Sequence, residues 1–113
     1  MNRESLARFA VAAASVTDSE ETEVFLSELL TPTELHDLVL RWELLELLEQ
    51  GVSQRQIAAR LGISLCKITR GAKILKQPNS IAARVLAQMK GVRRRNRHAG
   101  TDVTVKSKGQ ARR

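Results

Sequence analysis

Residues 51–76 read GVSQRQIAARLGISLCKITRGAKILK, and from Ser53 to Lys76 they carry six cations (Arg55, Arg60, Lys67, Arg70, Lys73 and Lys76) and no carboxylate. The preceding 32 residues, Asp18 to Glu49, hold ten carboxylates and the single cation Arg41. The chain therefore changes sign at Gly51. Within the basic stretch, Ser53 and Gln56 have the spacing of a capping box, which predicts a short helix ending at Leu61 and Gly62. Ser64 predicts the cap of a second helix that runs to about Lys76, because Pro78 forbids continuation. A period of 3.6 turns Ile57 and Leu61 inward from the first helix and Ile68, Ala72 and Leu75 inward from the second, with small Ala58 at the crossing and Ile63 at the joint. Cys66, Thr69, Arg70 and Lys73 then share the outward face. Two short helices joined through Gly62-Ile63-Ser64 match the helix-turn-helix template. A polyanion lying on them explains the exclusion of carboxylates, each of which would repel phosphate. The competing reading is an ordinary solvated basic face.

Working outward, Thr31-Pro32-Thr33-Glu34 predicts the start of a long helix: Thr31 caps, Pro32 occupies the first turn and Glu34 reaches back to the cap amide. That helix should run to Gln50 and stop at Gly51. It carries one apolar stripe at 35, 38, 42 and 45 and a second at 40, 44, 47 and 48. A helix with two apolar sides must be covered on both, and a chain this short offers little to do so except a second copy. Upstream, a marginal Ala-rich helix is predicted from Ser5 to about Val16, then one opened by Asp18 or Ser19. Downstream, Asn79 or Ser80 caps a last helix ending at Gly91. The expected organisation is a helical dimerisation and helix-turn-helix domain over 1–91, with the motif at about 53–76, and a disordered basic tail over 92–113. No strand pattern or internal repeat is present, so the fold class expected is all-α.

The net charge of +7 is entirely due to the tail. Residues 1–89 contain ten Lys+Arg against eleven Asp+Glu, and residues 90–113 contain nine against one. The tail should track phosphate without selecting sequence, or serve only as a solubilising extension. Cys66 is the single cysteine, which excludes an internal disulfide and fits a reducing cytoplasm. On an outward face it could also act as a redox switch. No membrane span or secretory pattern is visible, so a cytoplasmic location is expected. Neither a catalytic set of nucleophile, base and orienter nor a glycine-rich phosphate cradle occurs, and His36 and His98 are too isolated for a metal site. The sequence reads as no enzyme and no metalloprotein. Arg41, set among leucines, needs a partner: Asp37, Glu46 or the carboxylate of a ligand.

The stretch from Leu29 to Lys76 resembles the tryptophan repressor family of helical, intertwined, dimeric transcription factors. The resemblance rests on LLTPTE (29–34), Arg41 in the long helix, SQRQIA (53–58) and ITRG (68–71) with its trailing Leu75-Lys76. It implies a regulator, a repressor in function, that presents two motif heads to successive major grooves of a palindromic double-stranded operator. It implies groove and phosphate contacts from Gln54 and Arg55, reading positions at Leu65, Cys66, Thr69, Arg70 and Gly71, and a backbone contact at Lys76, beside the outward-facing Lys73. It further implies a corepressor, L-tryptophan, between the long helix and the reading helix: Arg41 and Arg70 on its carboxylate, Gly71 beneath its indole, Leu30 and Thr31 from the other subunit. This chain departs from the family at Glu28, Lys67 and Ile74, the last two standing at pocket positions where a small hydroxyl is usual. The expected consequence is an altered, weakened or absent response to tryptophan. A different class of function stays open: a basic nucleoid- or RNA-associated protein that binds through its tail and uses its helices only to dimerise. A third is a helical module that docks its acidic half on a protein.

Overall fold

The computed structural model describes residues 1–90. All regular structure among them is helical, and no helix is long and apolar enough to cross a membrane. The chain divides into two compact units, Met1–Arg41 and Trp42–Arg113, the second described to residue 90. The expectation of a disordered tail over 92–113 lies outside the described residues.

The first unit contains α1 (Arg3–Ser15), α2 (Ser19–Leu29) and the opening of α3 (Pro32–Glu49). Helix α1 begins two residues earlier than expected, because the Asn2 side chain accepts from the amides of Glu4 at 2.8 Å and Ser5 at 3.2 Å and caps the first turn. Asp18 caps α2 by accepting from the Glu21 amide at 3.0 Å. The rings of Phe9 and Phe25 stack with centroids 6.1 Å apart. No residue of α1 or α2 is fully buried. At α3 the capping box closes in both directions: the Glu34 amide donates to Thr31 Oγ1 at 3.1 Å, and the Thr31 amide donates to Glu34 Oε1 at 2.9 Å.

The second unit holds the core. Helix α3 ends in a Schellman arrangement: the Val52 amide donates to the Leu47 carbonyl and the Gly51 amide to that of Leu48, both at 3.0 Å, with Gly51 at φ +87°. Val52 thereby packs with Leu47 on the same apolar cluster. Then follow α4 (Gln54–Leu61), α5 (Leu65–Lys76) and a helix α6 over 81–90. Ser80, of the two candidates, caps α6 through the Ala83 amide at 3.0 Å. Leu44, Ile57 and Ile68 form the buried cluster, with Leu48, Ala58, Leu61 and Ile63 packed against it. Leu86 of α6 is also buried. Lys90 of α6 lies 3.6 Å from Glu49 of α3, the one ion pair among the described residues.

Candidate nucleic-acid interface

Three local features aim α4 and α5. Ser53 accepts from the Gln56 amide at 3.2 Å, fixing where α4 starts; the return bond expected from the Gln56 side chain does not form among the described residues, so this capping box is half made. Gly62 takes φ +64°, ψ +37°, a left-handed conformation that L side chains rarely adopt, and its amide closes the helix on Ala58 at 2.9 Å. Ser64 then accepts from the Lys67 amide at 3.3 Å and starts α5 in its new direction. Ile57 and Ile68, both with no exposed surface, pin the helices together. Their burial selects which side chains face out.

Gln54 and Arg55 of α4 and Leu65, Cys66, Lys67, Thr69, Arg70, Lys73 and Lys76 of α5 are all exposed, Leu65 at 58%. No carboxylate stands on either helix, and none of these cations is in an ion pair with a described residue. A buried carboxylate partner would have consumed the positive charge. Its absence leaves Arg55, Arg70, Lys73 and Lys76 free to meet an external anion. The outward set expected from helical spacing, Cys66, Thr69, Arg70 and Lys73, is thus outward in the structure.

Gly71 does not share that surface. It is buried, and an ideal Cβ built on it would lie 3.1 Å from Leu44 Cδ2, 3.3 Å from Leu45 Cδ2 and 3.3 Å from Leu48 Cδ1. Its place is on the inner face of α5 against α3, where it permits close approach. Of the two roles that the resemblance implied for Gly71, a groove contact and a place facing the long helix, its burial agrees with the second. Helical spacing agrees with the inward place: Gly71 falls three residues after Ile68, on the same side of α5.

The remaining residues expected to hold a ligand divide between the units. In the first, Leu30 is half-buried, Thr31 spends both hydroxyl and amide in the capping box, and Arg41 is exposed with no ion pair among the described residues, so neither Asp37 nor Glu46 holds it. In the second, Lys67 and Arg70 are exposed and Ile74 is half-buried. Trp42, on the first apolar stripe of α3, is half-buried.

Compared with known proteins, residues 4–90 match the sequence model of the family described as Trp repressor protein. A Trp operon repressor homolog of Xylella fastidiosa (strain 9a5c) is 38% identical over 81 residues, which is 70% of this chain and 88% of that protein. Homologs of the same description from Vibrio cholerae and Vibrio parahaemolyticus are 41% identical over 71 residues and 44% over 63, covering 62% and 55% of this chain and 69% and 61% of theirs. No solved structure matches the chain significantly. With a helical architecture, a helix-turn-helix whose basic side faces out and a family match spanning most of its length, the chain belongs to the Trp repressor family of transcriptional regulators.

Proposed function

We propose that this regulator is a sequence-specific DNA-binding repressor that acts in the cytoplasm as a homodimer. The observation that supports it most is the exposed, carboxylate-free surface of α4 and α5, held by a buried Ile57–Ile68 contact. Thr69 and Arg70 present hydrogen-bonding groups suited to base edges, Arg70 offering the fork geometry that pairs with guanine. Leu65 offers an apolar contact for a thymine methyl. Arg55, Lys73 and Lys76, with Gln54, suit the phosphates on either side, which set register without reading sequence.

A second copy of the chain is the partner that the apolar surface supports. Val24 and Leu29 of α2 and Leu38 and Val39 of α3 are 44–58% exposed in the first unit, apolar side chains that a second copy would cover. Helix-turn-helix dimers, the tryptophan repressor among them, generally place their reading helices about one DNA turn apart, 34–36 Å. The operator proposed here is accordingly a palindrome with half-sites at that spacing.

The family's corepressor is L-tryptophan, and the residues of this chain fit it only in part. Leu44, Leu45 and Leu48 pack on Gly71 and Ile74 offers no polar partner to an ammonium group, whereas Arg41 and Arg70, which would meet a carboxylate, are exposed without an ion pair among the described residues. An altered, weakened or absent response to L-tryptophan is therefore the expected behaviour, which calorimetric titration of the full chain with L-tryptophan decides. Competition decides between this reading and a nucleoid- or RNA-associated protein: at moderate salt the repressor retains a preferred duplex against excess unrelated DNA. Equal displacement by all duplexes, or by RNA, supports the alternative instead.

A further inference from the structure

We infer that the arginines just after α6 contact the DNA phosphates that flank the motif's own half-site, because α6 ends beside the point where α4 leaves α3. The inference rests on the reading of α4 and α5 as the DNA-contacting helices. It deepens that reading by naming a further contact and its place on the duplex.

Placement carries the argument. Leu86, 1% exposed, fixes α6 in the second unit, and Ser80 sets where the helix begins. At the other end of α6, Lys90 Nζ lies 3.6 Å from Glu49 Oε2, and Glu49 is the last residue of α3. The Lys90 side chain is 49% exposed, so the pair adds little stability; it marks where α6 finishes. The same end of α3 launches α4. The Val52 amide folds back onto the Leu47 carbonyl at 3.0 Å, and Ser53 caps α4 directly afterwards. Residues 50–53 separate Glu49 from Gln54, a path of at most about 18 Å. The exposed first turn of α4, with Gln54 and Arg55, and the end of α6 therefore belong to one corner of the unit.

Charge supplies the ligand. Residues 91–113 hold eight Lys+Arg against the single carboxylate Asp102. Arg93, Arg94, Arg95 and Arg97 all fall within seven residues of Lys90, a span of at most about 25 Å. Arginines tethered so closely act on the duplex that Gln54 and Arg55 meet, not on a distant one. Their reach corresponds to about seven base-pair steps of 3.4 Å. A guanidinium matches a phosphate in fork geometry, and such backbone contacts lengthen the footprint without reading sequence.

The test uses the full chain on the duplex it prefers in selection from a random pool, extended by about 20 base pairs on each side to exceed that reach. Phosphate-ethylation interference should extend up to about seven phosphates beyond those that Arg55→Ala abolishes. Combining Arg93→Gln, Arg94→Gln, Arg95→Gln and Arg97→Gln should remove this outer interference, retain the motif's own and weaken binding about tenfold at low salt. On a duplex trimmed to the half-sites, the parent and the quadruple variant should bind within about twofold of each other. Inserting about six Gly and Ser residues after Gly91 should spread the outer interference farther from the half-site. Outer interference that is absent in the parent, persists in the quadruple variant or keeps its position after the insertion overturns the inference and leaves the motif's contacts intact. A parent chain that shows no interference anywhere overturns the reading on which the inference stands.

Discussion

Arg70 and Ile68 sit two positions apart on α5 and do opposite work. Ile68 has no exposed surface and Arg70 is exposed with no ion pair among the described residues. Truncating Ile68 to alanine leaves a cavity between α4 and α5 and should cost about 2–5 kcal/mol, read by chemical denaturation. Arg70→Ala should leave the denaturation midpoint unchanged. It should weaken operator binding by about 5- to 150-fold in a fluorescence anisotropy titration, the loss expected for one base-contacting arginine. If instead Arg70→Ala unfolds the chain, the side chain is structural and the interface is elsewhere. At this scale the sequence was readable wherever a side chain carries polarity: Ser53, Ser64, Thr31 and Asp18 each cap the helix they were expected to cap. Gly71 was harder to read, because a residue without a side chain shows no preference for inside or outside. Its spacing from Ile68 puts it on the inward side, and the leucines of α3 around it show that it is a packing position.

Helix α3 shows where reading an element from its pattern works and where it stops. Its start and end follow from local chemistry, Thr31 with Glu34 at one end and Gly51 with Val52 at the other. Thr31→Ala removes an acceptor for the Glu34 amide and should cost about 1 kcal/mol, seen as a lowered melting temperature. Combining it with Glu34→Ala should cost less than the sum of the two single changes, because the two side chains form one reciprocal cap. The two apolar stripes are also genuine, yet they differ in what covers them. Leu44 of the second stripe is buried by α4 and α5, whereas Leu38 of the first is 44% exposed. A hydrophobic pattern says that a face must be covered, and it cannot say by which chain. The half-made Ser53–Gln56 box marks a similar boundary: spacing permits the return bond, but it does not compel the Gln56 side chain to make it.

For the whole molecule, the charge map and the uncovered apolar residues make the strongest demands. Replacing Leu38 and Val39 by glutamate should convert a dimer to monomers in sedimentation velocity and weaken operator binding, since one head alone contacts half a site. An unchanged monomer in the parent chain would remove the dimer from the account. The basic residues after Gly91 are proposed to raise affinity for any phosphate backbone, the alternative being a solubilising extension. Deleting 92–113 should lower binding to all duplexes alike and reduce the slope of log affinity against log salt by about 0.9 for each phosphate that the tail neutralises. A loss confined to the preferred site would show that the tail reads bases. The most direct test of the central claim, that the α4–α5 surface reads DNA in a paired arrangement, is selection of bound duplexes from a random pool by the full chain without added tryptophan. The account predicts enrichment of a two-fold symmetric sequence with half-sites about one helical turn apart. Recovery of sequences with no shared site, or of an asymmetric single element, would contradict it.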